Sequence, residues 1–86
     1  MDSNPKSQRE LTFGEKAVGL TFNHGEGDTF EAIKEIKEKA AAFIDKCNDL
    51  RALTEDGEKK RMYSVAITEA QTAQMWAVKA VTWGSN

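Results

Sequence analysis

The chain contains a single cysteine, Cys47, a single proline and a single histidine among its 86 residues. One cysteine cannot form an internal disulfide, and one cysteine with one histidine leaves no paired ligands of the kind that zinc sites use. No run of about 18 apolar residues is present, and the polar start lacks the apolar core of a signal peptide. We therefore expect no membrane span and a protein of the reducing cytoplasm.

An excess of positive charge is also missing. The 12 Lys and Arg residues face 14 Asp and Glu residues, which gives a net charge of −2. Proteins that coat DNA or RNA need a strongly basic surface, so this balance argues against a nucleic-acid polymer as partner. A domain this short buries only about 60% of its unfolded surface when it folds alone. A partner is therefore expected.

The distribution of glycine and apolar residues predicts an all-α fold in a single domain over residues 1–86. Residues 1–10 are polar and are expected to form a flexible arm. Residues 11–23 contain Gly14 and Gly19. Each glycine costs a helix about 1 kcal/mol, so this stretch is expected to form only a short helical segment.

Two long helices are predicted over residues 28–51 and 55–83. A polar turn separates them, in which Thr54 or Asp56 would cap the second helix. Gly84 follows the second helix as a stop signal. Two long helices joined by a short turn form an antiparallel hairpin.

The first long helix carries apolar residues at alternating spacings of four and three, as in the buried seam of a coiled coil. This seam consists of Ile36, Ala40, Phe43, Cys47 and Leu50. In such a position Cys47 is expected to be a buried, inert thiol.

The second long helix carries an alanine stripe at the same spacings, which would let another backbone approach closely. The stripe consists of Ala66, Ala70, Ala73, Ala77 and Ala80. Large apolar residues lie beside it near the C-terminal end, among them Met75, Trp76, Val81 and Trp83. A helix that is apolar nearly all round must be covered on several sides, and one partner helix covers only one side. The sequence therefore predicts self-association through this helix and a homo-oligomer.

Catalytic motifs are not recognisable in the sequence. It has no phosphate-binding glycine loop, no nucleophile elbow and no cluster of ligands at metal-binding spacing. We expect His24 to be a solvated loop residue or a ligand contact rather than a general acid or base. These observations predict that the chain is not an enzyme and carries no cofactor.

The basic run Lys59-Lys60-Arg61 begins the second long helix, where cations oppose the helix dipole. Neighbouring acidic residues could simply neutralise this run. The other interpretation is that Arg61 contacts an anion or a neighbouring subunit.

A second candidate is Phe22-Asn23-His24-Gly25, which is followed within about three helical turns by Lys34 and Lys37. An aromatic ring can stack on a base, and lysines can contact phosphates. The alternative is that Phe22 is an ordinary core residue, and nearby acidic residues place negative charge at the same helix start.

Two segments carry a resemblance to a known family. The first is FGEKAVGLTFN at residues 13–23, and the second is RMYSVAITEAQTAQMWAVKAVTW at residues 61–83. Together they resemble the phage anti-CBASS cyclic-oligonucleotide sponge proteins, a family of small helical hairpins. CBASS is the bacterial cyclic-oligonucleotide-based antiphage signalling system. The resemblance covers residues 11–83.

The resemblance implies a viral counter-defence protein that binds cyclic oligonucleotide second messengers without cleaving them. Members of the family form homohexamers and hold cyclic dinucleotides such as 3′,3′-cGAMP in pockets between protomers. Some also bind cyclic trinucleotides at separate sites near the three-fold axis. Sequestration in the cytoplasm of the infected bacterial host would keep the messenger from its effector.

The resemblance also implies a set of ligand-binding residues. An aromatic residue would stack on a base, with Phe22 favoured over Phe13, and a lysine would contact phosphate. Two Ile-Lys pairs leave the choice between Lys34 and Lys37 open. The full set is Phe13, Phe22, Asn23, Lys34, Lys37, Arg61 and Thr68, of which the last two could instead lie at a joint between subunits.

A function of another class is compatible with the apolar second helix. The chain could be an adaptor that docks this helix on a host protein instead of on a second copy. A stable hexamer favours the sponge, whereas a monomer favours the adaptor.

Overall fold

The computed structural model describes residues 10–20 and 28–84 of the chain. These residues form three helices, α1 (Phe13–Ala17), α2 (Asp28–Leu53) and α3 (Gly57–Thr82), and no strand occurs in the two ranges. This architecture confirms the all-α hairpin with a short helix before it. The first long helix ends two residues later than predicted, and the second begins two residues later. The predicted arm lies outside the described residues except for Glu10.

Helix α1 is only five residues long because both of its ends are closed by local hydrogen bonds. Thr12 caps the start, where its Oγ1 accepts from the backbone N–H of Glu15 and its own N–H donates to the Glu15 carboxylate. At the other end Gly19 adopts a φ of 70°. The N–H groups of Gly19 and Leu20 then donate to the carbonyls of Lys16 and Glu15 at 3.1 and 2.9 Å. This double closure is a Schellman motif, which glycine permits at little cost.

The turn between the long helices explains where α3 begins. Asp56 is the N-cap, and its Oδ1 accepts from the N–H groups of Glu58 and Lys59 at 2.8 and 3.2 Å. Thr54, the other predicted cap, instead accepts from the N–H of Asp56. An aspartate at this position satisfies two amides that the helix itself leaves free.

The basic run at the start of α3 has a structural use. Lys60 Nζ donates to the carbonyl of Arg51 at 2.9 Å, in the last turn of α2. Carbonyls in the last turn of a helix lack intrahelical partners and carry partial negative charge. Lys60 therefore stabilises the end of α2, while Arg61 pairs with Glu58 on its own helix. This second contact is the neutralisation by acidic neighbours that the sequence left open.

Asp45 of α2 binds the start of α1 through two hydrogen bonds. Its two carboxylate oxygens accept from the backbone N–H of Gly14 at 2.6 Å and from Thr12 Oγ1 at 2.8 Å. The contact is so close that a Cβ at Gly14 would overlap the carbonyl oxygen of Ala41. Position 14 must therefore lack a side chain for α1 to lie where it does.

The hydrophobic core lies between the two long helices and the residues that directly follow α1. Its buried residues are Val18, Leu20, Ala41, Ile44, Cys47 and Ile67. The burial of Cys47 agrees with the sequence prediction. The prediction that Phe43 belongs to the buried seam is wrong for this chain, since Phe43 is 53% exposed. Docking of α1 over Ala41 and Ile44 selects a face of α2 that is rotated from the predicted seam.

The chain is thin. Its smallest principal extent is 12 Å. Most domains bury their apolar faces between two packed layers. The single chain leaves large apolar residues uncovered, and the most exposed are Leu53, Met75, Trp76 and Trp83.

Candidate ligand-binding site

The end of α1 is held by two long polar side chains. Lys37 Nζ donates to the carbonyl of Gly19 at 3.4 Å, and Gln71 Nε2 donates to the carbonyl of Ala17 at 3.2 Å. One contact comes from each long helix, so the position of α1 depends on both. The Lys37 ammonium consequently lies beside Gly19, shortly before residues 21–27 in the chain.

The two lysines that the sequence could not separate have different surroundings. Lys34 Nζ lies 3.4 Å from the Glu38 carboxylate, one turn along α2. In residues 10–20 and 28–84, no carboxylate lies within ion-pair distance of Lys37. The Lys37 ammonium therefore faces the end of α1, whereas the Lys34 ammonium forms an ion pair with Glu38 on the surface of α2.

Phe13 lies at the opposite end of α1. The Arg51 guanidinium lies 5.7 Å from the centre of the Phe13 ring. Arg51 also donates to Asn48 Oδ1 at 2.7 Å and to Ser64 Oγ at 2.9 Å, so it joins all three helices. Lys37 and Arg51 are separated by about 21 Å of helix. Within one chain the structure therefore does not bring Phe13 to the predicted lysines.

Arg61 and Thr68 lie on α3, two turns apart. Arg61 is exposed and binds the Glu58 carboxylate, with an Nη2–Oε2 distance of 2.6 Å. The Arg61 guanidinium lowers the pKa of Glu58, and Glu58 in turn raises the pKa of Arg61. Thr68 is also exposed, and its carbonyl accepts from Thr72 Oγ1. Among the described residues, the hydrogen bonds and ion pairs of Arg61 and Thr68 stay within α3.

Phe22 and Asn23, together with His24, lie outside the described residues. The predictions that Phe22 stacks on a base and that Asn23 binds ligand therefore stay predictions.

Sequence reasoning missed one candidate residue, Gln74. It is the buried polar residue of the described chain, 8% exposed, and its Oε1 has no hydrogen-bond partner there. Gln74 lines a depression of about 190 Å³ together with Lys37, Met75 and Val78. The available signal was its position, since it is one of only three polar residues in the eleven-residue stretch 73–83.

A second surface feature lies at the end of α3. Lys79 Nζ is 5.6 Å from the Trp76 ring centre and 5.9 Å from the Trp83 ring centre. These three residues and Ala80 line a depression of about 480 Å³. We call Met75, Trp76, Lys79 and Trp83 the tryptophan patch. Trp76 is 66% and Trp83 is 77% exposed, which is unusual for large apolar side chains of a monomer.

Two further properties concern only the part of the chain that the structure describes. Its helices include no segment long and apolar enough to cross a membrane. Its His, Cys, Asp and Glu side chains form no group of three that could hold a metal ion.

Comparison with known proteins gives one match. The family model of the Acb2/Tad1 hairpin domain matches residues 15–82, which include most of α1 and both long helices. No curated protein and no solved structure matches the chain at a significant level. The matched family is an anti-CBASS cyclic-oligonucleotide sponge family, whose members bind their ligands without catalysis. The match confirms the resemblance seen in the sequence, and the chain therefore belongs to the Acb2/Tad1 hairpin family.

Proposed function

We propose that this chain is a viral counter-defence sponge that binds 3′,3′-cGAMP and related cyclic dinucleotides and does not cleave them. Sequestration in the cytoplasm of the infected bacterium would prevent activation of CBASS effectors. The observation that carries this proposal is the family match over residues 15–82. Cyclic trinucleotides are proposed as a second ligand class. Arg61 and Thr68 are proposed to contact either a ligand or a neighbouring subunit.

Lys37 is the phosphate-binding lysine of this proposal. Its ammonium makes one hydrogen bond among the described residues, to the carbonyl of Gly19. An ammonium has three donors, so further donors can serve a phosphate oxygen. Residues 21–27 follow Leu20 directly, which makes Phe22 a better stacking candidate than Phe13 under the Arg51 guanidinium.

The expected contact energies are large enough for tight, reversible binding of a cyclic dinucleotide. Each base stack is worth about 1–3 kcal/mol, and a charge-assisted hydrogen bond to phosphate adds about 1.5–3 kcal/mol. A cyclic dinucleotide offers two bases and two phosphates, so a two-fold interface could use each contact twice. The macrocycle is already constrained and loses little freedom on binding. A nanomolar affinity, about −12 kcal/mol, is then within reach without any chemical step.

Self-assembly is part of the same proposal. The tryptophan patch is exposed in the single chain. Aromatic residues at such positions dominate the binding energy of protein interfaces. We propose that copies of the chain cover each other's patches in a homohexamer and form the ligand pockets between protomers.

The binding test is calorimetric titration with a panel of cyclic di- and trinucleotides, followed by denaturation and recovery of the ligand. The sponge predicts tight binding of 3′,3′-cGAMP and recovery of the intact ring. Absence of binding, or recovery of linear products, would contradict it.

Single lysine variants test the pocket. Lys37→Ala should weaken binding strongly, and Lys34→Ala should weaken it less because Lys34 already pairs with Glu38. Lys46→Ala is the matched control, because nine residues along a helix place Lys46 on the opposite face of α2. If Lys37→Ala and Lys46→Ala bind alike, the pocket assignment is wrong.

The exposed tryptophan patch also favours a second candidate function, an adaptor that docks on a host protein. Size-exclusion chromatography with light scattering separates the two. A stable hexamer that binds cyclic dinucleotides supports the sponge, whereas a monomer without such binding supports the adaptor.

A further inference from the structure

The outward face of α3 carries a second coiled-coil pattern, which the hairpin does not use. Its residues recur at spacings of three and four, and all of them are exposed. We call them the outer seam: Met62, Val65, Glu69, Thr72, Trp76, Lys79 and Trp83. Such spacings align side chains on one stripe of a helix, which packs against another helix in a coiled coil. The buried residues Ile67 and Gln74 lie on the opposite face of α3, so α2 leaves this stripe uncovered.

The outer seam combines large apolar side chains with one charge of each sign. Trp76 and Trp83 are its largest members, and the Lys79 ammonium lies 5.6 and 5.9 Å from their ring centres. Glu69 lies two turns before Trp76 on the same stripe. Neither Glu69 nor Lys79 has an ion-pair partner among the described residues. A partner that fits this seam therefore offers both apolar surface and complementary charge.

A second copy of α3 offers both when it runs antiparallel to the first. If Glu69 of one copy lies opposite Lys79 of the other, the two-fold axis passes position 74, midway between them. The same axis brings Lys79 of the first copy opposite Glu69 of the second, so the ion pair forms twice. Parallel copies would instead place Glu69 against Glu69 and Lys79 against Lys79, and such like-charge contacts disfavour a pairing.

The antiparallel register also matches large side chains with smaller ones. About the same axis Trp76 lies opposite Thr72 of the second copy, and Trp83 lies opposite Val65. Facing positions that alternate large and small residues interdigitate without voids or overpacking. One register therefore satisfies the charges and the side-chain volumes together.

We propose that two copies of this chain pair antiparallel through their outer seams, with Glu69 of each copy bound to Lys79 of the other. The assignment rests on the self-assembly in the proposed function and adds the surface, the orientation and the register. The indoles supply most of the binding energy, as aromatic residues do at the centre of interfaces. The two ion pairs select the antiparallel orientation, as charges beside a coiled-coil seam do.

The test reverses the two charges and measures assembly by sedimentation equilibrium without ligand. Glu69→Lys and Lys79→Glu each create two like-charge contacts across the interface, so each should raise the dissociation constant of the assembly about tenfold or more. Glu35→Lys is the matched control, because it makes the same charge change at an exposed residue of α2 outside the seam. It should assemble like the unmodified protein.

Mixing the two variants provides a readout that a folding defect cannot imitate. A mixed pair of Glu69→Lys and Lys79→Glu restores opposite charges at both contacts, so the equimolar mixture should assemble within about threefold of the unmodified protein. The double variant Glu69→Lys/Lys79→Glu should recover in the same way. Positions 69 and 79 are about 15 Å apart along one helix, too far for an ion pair within a chain. Recovery therefore reports contacts between chains.

The outcomes separate this pairing from the proposed function. Glu69→Lys that assembles like Glu35→Lys, or a mixture that stays dissociated, overturns the pairing and leaves the sponge intact. An unmodified protein that is monomeric overturns the pairing and the proposed self-assembly together and favours the adaptor. The predicted charge dependence without binding of any cyclic dinucleotide supports the pairing and overturns the sponge.

Discussion

Replacing Gly14 by alanine should detach α1 from the hairpin, because this helix approaches α2 more closely than a side chain allows. A Cβ at position 14 would overlap the carbonyl oxygen of Ala41. It would also lie 2.9 Å from the carbonyl carbon of Ala41 and 2.9 Å from Asp45 Oδ1. Two of these three atoms belong to the backbone of a long helix and cannot move aside cheaply.

The size of the effect follows from three contributions. Overpacking a well-packed contact costs about 1–3 kcal/mol. If α1 moves away instead, the hydrogen bond from the Gly14 N–H to the Asp45 carboxylate is lost, which costs about 1.5–3 kcal/mol. The better helix propensity of alanine returns at most about 1 kcal/mol. The free energy of unfolding should therefore fall by about 1–3 kcal/mol.

The assay is urea unfolding followed by far-ultraviolet circular dichroism, at one protein concentration because assembly makes apparent stability concentration-dependent. Gly57→Ala is the matched control, since nothing lies within 4 Å of a Cβ built at Gly57 at the start of α3. That variant should be as stable as the unmodified protein or gain up to about 1 kcal/mol. Equal stability of the two variants would refute the close approach of α1.

Three further perturbations test other parts of the structure. Asp56→Ala removes the acceptor of the Glu58 and Lys59 N–H groups and should lower the free energy of unfolding by about 1 kcal/mol in urea titrations. The lowered pKa of Glu58 means that its contribution to stability is present above the ordinary value of 4.5 and is lost as pH falls through the folded value. The stability difference between the unmodified protein and Glu58→Gln should therefore shrink between pH 7 and strongly acidic pH, and a constant difference would contradict this. Trp76→Ser should reduce the oligomer mass in light scattering, whereas Leu53→Ser, at a residue that is even more exposed and lies outside the tryptophan patch, should not.

The hairpin could be predicted from the sequence because its signals are local. Apolar spacings of three and four define both long helices, and Asp56 lies in the turn as one of two candidate caps. Gly19 likewise limits α1 through its own backbone conformation. Such features depend on a few neighbouring residues, which a single sequence displays directly.

The buried face of α2 could not be predicted, because it depends on contacts that are distant along the chain. Periodicity placed Phe43 in the seam, yet α1 needs a small residue beneath Gly14 and finds it at Ala41. The hydrogen bond of Lys60 could not be predicted for the same reason, since its acceptor is the carbonyl of Arg51 across the turn.

The candidate site was predictable only in part. Residue types suggested Lys34 and Lys37 equally, and only the placement of α1 gives them different surroundings. Gln74 was invisible as a site residue because an isolated glutamine in a helix is ordinary. The buried Oε1 of Gln74 has no hydrogen-bond donor among the described residues, and only the structure shows this.

The placement of the two indoles has a practical consequence. The chain has two tryptophans, both beside Lys79 at the exposed end of α3, and its core contains none. Intrinsic emission from this protein therefore samples one small region of its surface. A blue shift on concentration would report that another molecule has covered that region, while melting of a lone hairpin would leave the emission nearly unchanged. Tryptophan fluorescence can therefore be used to follow association of this protein without a label.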